Sequence, residues 1–158
     1  DEHGSYASIH DKRISEDSPA VLIDSITRIY KGAKFYDERI DEVVEAIRAI
    51  ETRHLWQFNL ELLIFIRDML GITTPISMAV PTIGRGSEGL VSVLKRYKGI
   101  THYLSGTGAK AYMGDCAEFT EAGIEVIWSK HEAVTGDSIL SVIFDYENPL
   151  EIVMKEHA

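Results

Sequence analysis

The chain has 158 residues, a hydrophobic share of 45%, a charged share of 26% and a formal net charge of -9. That length suits one compact domain with a real core and falls short of two ordinary ones, and the balance is that of a globular protein rather than a disordered one. The acidic balance argues against nonspecific nucleic-acid binding, because attraction to phosphate needs clustered lysine and arginine.

Residues 1–17 form a polar, irregular lead, in which no basic segment runs into an apolar one, so no secretory signal is read there. Ser18-Pro19 then marks a helix start, with serine as the cap and proline at the first helical position. Leu22, Ile26, Ile29 and Tyr30 follow at helical spacing, and Gly32 stops the run. A second helix over 37–50 sets Ile40, Val43, Val44, Ile47 and Ile50 on one side, with Asp41, Glu42, Glu45 and Arg48 on the other. The third and longest, over 54–70, carries Leu55, Phe58, Leu62, Phe65, Ile66 and Met69 and is closed by Gly71. His54 opens it, and Asn59 sits inside its apolar stripe, where it either bonds a neighbouring element or lines a site.

Beyond Gly71 the pattern changes. Ile76–Val80 is a short apolar run that reads as a strand, followed by the glycine-rich TIGRGSEG. Leu90, Val91 and Leu94 continue as a helix that ends by Gly99, and Lys95, Arg96 and Lys98 supply its cationic last turn. Ile100–Leu104 reads as a second strand, then the corner SGTG and a short helical segment over 108–113. Asp115 with Glu118 three residues on is a reciprocal capping pattern for a further helix closed by Gly123. Ile124–Trp128 is the third strand. In the tail, Ile139, Val142 and Ile143 fit a helix face, and Asn148-Pro149 resets the chain before a last helix.

The alternation of strand and helix predicts an α/β fold: a small parallel sheet of about three strands with helices packed around it and a helical N-terminal half. The expected organisation is the lead over 1–17 and one α/β domain over 18–158, with a helical subregion over 18–70 and an α/β subregion over 71–158. No apolar run approaches the roughly 20 residues needed to span a membrane. The single cysteine, Cys116, excludes an internal disulfide and a multi-cysteine zinc site, and a cytoplasmic location is the simplest reading.

Three segments could leave the sheet on one edge, where ligands of open α/β sheets bind. The SGTG corner is one. Gly106 and Gly108 can adopt positive φ, Ser105 and Thr107 bring hydroxyls, and Lys110 and Tyr112 follow at once. This is either a tight strand-to-helix turn or a loop that holds an anion. It matches neither G-x-x-x-x-G-K-[ST] nor G-x-G-x-x-G. Arg85 and Ser87 form the second segment, as a carboxylate or phosphate clamp and a hydroxyl, or as a solvated arginine and a helix cap. Lys130-His131 is the third, where His131 has the side chain of a general base at neutral pH. His102, within a strand, reads as structural. Metal spacing is lacking: His3 and His10 sit in the lead, and His131 and Glu132 are adjacent on opposed faces. Cys116 lies at a helix start beside Asp115 and near Glu118, which resist thiolate formation.

Three stretches carry a family likeness. They are Ile29-Tyr30-Lys31-Gly32-Ala33-Lys34-Phe35-Tyr36-Asp37-Glu38, then Tyr103–Tyr112 with Phe119 and Ala122–Val126, and Leu140–Asp145. On these the chain resembles the WbqC-like proteins of bacterial O-antigen and other surface polysaccharide genes. The family's opening His-Gln-Pro and Arg-Asn-Arg motifs do not occur, so its N-terminal motif region is expected to be missing here. Its His-Pro-x-Tyr-x-Gln segment is reduced to the lone His131. The resemblance implies acyl or aminoacyl transfer onto a nucleotide-linked sugar, with His131 taking a proton and Arg85, Ser87, Ser105, Gly106, Thr107, Gly108, Lys110 and Tyr112 around the ligand. The alternative is a non-catalytic accessory or interaction protein. The expected partner is an anionic small molecule of the nucleotide-sugar type, with no nucleic acid, no membrane insertion and no cofactor; self-association is left open.

Overall fold

The computed structural model describes residues 9–79, 83–129 and 138–155. Its chain falls into two units, one built from residues 9–74 and 138–155 and the other from 75–129. This divides the chain differently from the expected 71–158 subregion, because the last two helices join the N-terminal ones. The reason is the sequence SVIF: Ser141, Val142, Ile143 and Phe144 are all buried, and Ile143 and Phe144 belong to one core with Ile26, Tyr36, Val43, Ile47 and Phe58.

The first unit is helical: α1 (Ser18–Tyr30), α2 (Tyr36–Ala49), α3 (Leu55–Met69) and, later in the chain, the short helices over Ile139–Asp145 and Pro149–Lys155. Ser18 is the first residue of α1, while the cap position falls to Asp17, whose side chain makes no capping hydrogen bond. The end of α3 is built as expected from Gly71. That glycine takes φ +69, its N–H reaches Asp68 O at 2.9 Å, and Ile72 N reaches Arg67 O at 2.9 Å, which satisfies two carbonyls of the last turn. Asn59 is exposed, so neither of its expected roles within a buried stripe applies.

The second unit carries α4 (Gly86–Leu94), β1 (His102–Gly106), α5 (Lys110–Met113), α6 (Ala117–Glu121) and β2 (Glu125–Ser129). With these labels, the two later helices of the first unit are α7 (Ile139–Asp145) and α8 (Pro149–Lys155). Strands β1 and β2 pair in parallel, with Tyr103 opposite Val126, Leu104 opposite Ile127 and Ser105 opposite Trp128. The fold is therefore mixed α/β with a small parallel sheet.

The expected third strand is absent among the described residues. Residues 76–79 are exposed and unladdered, and Val80 lies outside the described residues. Ser77 Oγ meets Tyr97 OH at 3.1 Å, a side-chain tether in place of strand pairing. Proline just before the run removes one ladder donor. On the sheet's helix-covered face, Phe119 is fully buried and its ring stacks on Tyr103 at 5.2 Å between centroids, with Val91, Met113 and Ile124 completing the core.

Candidate functional site

The β1–α5 corner is a strand leading through a 3-10 turn (Thr107–Ala109) into α5. Its glycines do not take the expected conformation. Gly106 is extended, with φ -68 and ψ 148, and Gly108 is not among the positive-φ residues. The corner therefore lacks the left-handed backbone that would converge successive N–H groups on an anion. What the two glycines do provide is room, since a Cβ at either would meet nothing within 4 Å.

The side chains of the corner separate into two groups. Ser105 is buried with its Oγ 3.8 Å from Met113 Sδ, and buried Ser87 donates to Met113 O at 3.1 Å. These hydroxyls tie β1 and α4 to the end of α5. Thr107, Lys110 and Tyr112 are exposed, as is Arg85, at the cap position of α4. Segments 85–87 and 110–113 do come together: besides the Ser87 bond, a Cβ on Gly86 would sit 3.7 Å from Tyr112 O. Lys130 and His131 lie outside the described residues.

Among the described sequence-predicted residues, Lys110 lines a cleft. Its Nζ lies 5.1 Å from the ring centroid of Trp128, and both line a cleft of about 380 Å3 with Asp115, Cys116, Thr120 and Val126. That size falls in the range of small-molecule sites. The alternation of β2 sends Val126 and Trp128 to the helix-bearing face, and a positive φ of 58° at Cys116 turns the chain into α6. Asp115 is drawn into this turn, accepting from Ala117 N at 3.2 Å. The expected reciprocal capping does not form, because the helix starts at Ala117 and its cap position falls to Cys116, whose side chain makes no capping bond. Sequence reasoning missed Trp128 and Thr120 as cleft residues. The signal for Trp128 was its place one residue from the end of the last strand, on the face that alternation assigns to the helices.

Chemically, the cleft pairs a cation with an aromatic ring and a hydroxyl, and the acidic residues Asp115 and Glu125 also line it. An ammonium over an indole is held by the ring's quadrupole, and the same ammonium can meet an anionic oxygen. Among the described residues, no group of three or more His, Cys, Asp or Glu side chains is placed to hold a metal ion, and no helix is long and apolar enough to cross a membrane.

Fold and cleft together define the chain as a mixed α/β protein with a small parallel sheet and a small-molecule-sized cleft beside it. Residues 1–135 match the WbqC-like protein family, and the chain belongs to that family, which is linked to polysaccharide biosynthesis. The match takes in the first two of the three stretches of likeness and ends before Leu140–Asp145. No curated protein and no solved structure matches the chain.

Proposed function

We propose that the chain acts in surface glycan synthesis as an acyl- or aminoacyl-transferase-like protein on a nucleotide-linked sugar, with Lys110 as the anion-holding residue. The observation that carries this reading is the Lys110 ammonium set over Trp128 in an open cleft. A phosphate oxygen matches the ammonium, and the indole offers an aromatic edge to a base or sugar. Thr107 and the uncovered backbone at Gly106 and Gly108 let a ligand approach closely from the β1 side. Arg85 and Tyr112 are exposed within the neighbouring segments and extend the polar rim. In the transfer step, a hydroxyl or amino group of the sugar attacks the carbonyl carbon of an activated ester or thioester. His131 takes the attacking group's proton and returns it to the departing alcohol or thiol.

Thermal-shift titration with uridine, guanosine and thymidine diphosphate sugars and with coenzyme A tests the proposal. A ligand held at tenfold above its Kd stabilises the folded state by about 1.4 kcal/mol, which is a readable shift. The parent should respond to at least one of them, and Lys110→Ala and Gly108→Val should lose the response while keeping the parent's own melting temperature. An equal response in Lys110→Ala, or none from any ligand, overturns the reading. The second reading, an accessory protein, draws on Leu104 and Ile127, which face each other in register and are 66% and 44% exposed. Parallel sheets ordinarily have both faces covered, so this apolar pair is the place where a partner would sit.

A further inference from the structure

Helix α1 ends on Tyr30, and its hydroxyl leaves the helical core at a point where the α7 segment returns. The Tyr30 ring packs on Phe144 at 5.2 Å between centroids, which fixes its direction. Its OH lies 2.9 Å from Ser138 Oγ and 3.3 Å from Ser141 Oγ. These three hydroxyls open into a cleft of about 440 Å3, which Asp145, Ile29 and Ala33 also line. Asp145 is exposed, and its carboxylate makes no hydrogen bond or ion pair with any described residue. Among the described residues, no lysine or arginine lines this cleft.

Donor and acceptor counting shows what such a surface can take. Three hydroxyls bring three O–H donors, and the two contacts among them use two. Ser138 Oγ also accepts from Leu140 N at 3.2 Å, so its remaining capacity is directed away from the helix. One donor is left over in a cleft that Asp145, whose carboxylate only accepts, also lines. Adjacent donor and acceptor groups are what a pair of neighbouring ligand hydroxyls needs, since each such hydroxyl gives one proton and accepts another. A phosphate or carboxylate ligand would instead meet Asp145 with no lysine or arginine among the described lining residues to offset the repulsion. Ile29, at 63% exposure, and Ala33 add an apolar wall for the C–H face of a ring.

We propose that the cleft between Tyr30, Ser138, Ser141 and Asp145 binds a neutral polyhydroxylated ligand, a sugar ring, through its vicinal hydroxyls. This site is separate from the Lys110 cleft and does not rest on the transferase reading. The test is saturation-transfer NMR on the full chain with methyl glucoside, methyl galactoside, methyl mannoside and N-acetylglucosamine, with inorganic phosphate added as an anionic competitor of the sugar signal. At least one sugar should give a saturable signal at a Kd of about 1–10 mM, the weak range in which single sugar rings are captured by a few hydrogen bonds. Asp145→Asn, at an exposed position, should weaken it about tenfold, the worth of a charged acceptor. Tyr30→Phe should weaken it as well with the core ring intact, and Lys110→Ala should leave it unchanged. The proposal is overturned if no sugar saturates below about 50 mM, if Asp145→Asn binds like the parent, if phosphate displaces the sugar from Lys110→Ala, or if Lys110→Ala is the variant that loses the signal.

Discussion

Replacing Arg39 should loosen the seat of α7 in the helical unit. Arg39 stands on α2, and its guanidinium reaches over the C-terminal end of α7. One terminal nitrogen donates to Ile143 O and to Tyr146 O, the latter at 2.7 Å, and the other donates to Glu147 O at 3.0 Å. Helix ends leave carbonyls without intrahelical partners, and α7 spans only seven residues, too few to persist without tertiary support. Phe35 N adds a bond to Phe144 O at 2.8 Å, and the Arg39 guanidinium lies 4.7 Å over the Phe35 ring.

The magnitude follows from the two partly buried contacts, since the Glu147 carbonyl is exposed and water replaces its partner readily. Hydrogen bonds from a charged donor are worth about 1.5–3 kcal/mol each, and neighbours on one group are not additive. Arg39→Ala should therefore cost about 3 kcal/mol. Arg39→Lys keeps the charge but has no planar fork, and should cost about 1.5 kcal/mol. Urea unfolding followed by tryptophan fluorescence reads this cleanly in a Trp128→Phe background, where Trp56 reports on the helical unit alone. A lysine variant as stable as the parent would show that charge suffices and that the fork has no role. An alanine cost below about 0.5 kcal/mol would refute the capping account altogether.

Two further outcomes follow from the backbone and from one carboxylate. Gly123 takes φ +70, with Gly123 N bonded to Thr120 O at 3.0 Å and Ile124 N to Phe119 O at 2.9 Å. Gly123→Ala should cost about 1 kcal/mol in urea unfolding, whereas Gly108→Ala, at ordinary φ and in open space, should be neutral; equal costs would mean that the two corners are alike. The Ser15 hydroxyl, and after it the residue's own backbone N–H, hold the Asp17 carboxyl below its ordinary value of 3.8. A depressed folded-state value stabilises above the ordinary value and is lost as pH falls through the folded one, so Asp17→Asn should be less stable than the parent at neutral pH. The gap should close in acid below 3.8, and a gap that persists unchanged at about pH 2.5 removes the assignment.

How far the sequence could be read depended on whether a feature is decided locally. Gly71 and Gly123 end their helices because only a residue without Cβ enters the left-handed region cheaply, and both were legible from one letter after an apolar periodic run. The parallel pairing of β1 and β2 was legible too, since the helices between them leave no hairpin connection. The run at 76–79 failed on a nonlocal condition: an apolar tetrapeptide becomes a strand only where a neighbour offers an edge. The tail failed for a related reason. Its period marked α7 as a helix with one apolar face, but not which core that face would enter, and the answer lay in Ile26, Tyr36 and Ile47, about a hundred residues earlier.

The same distinction governs the candidate sites. The SGTG corner drew attention through its glycines, yet the side chain that reaches a cleft beside it is Lys110, where β2 brings Trp128 under that ammonium. Ser87 and Ser105, read as ligand hydroxyls, lie on faces that the packing of Met113 closes. Tyr30 was read at helical spacing with Leu22 and Ile26, and its ring does pack against the core. Its hydroxyl has a different fate, set by Ser138 and Ser141 more than a hundred positions away. Amphipathic side chains of this kind carry two assignments at once. Periodicity reports the ring, and only the returning chain decides what the oxygen meets. A polar site built on the tips of core residues thus leaves no motif in one sequence, while a glycine-rich corner leaves a conspicuous one whether or not a ligand binds.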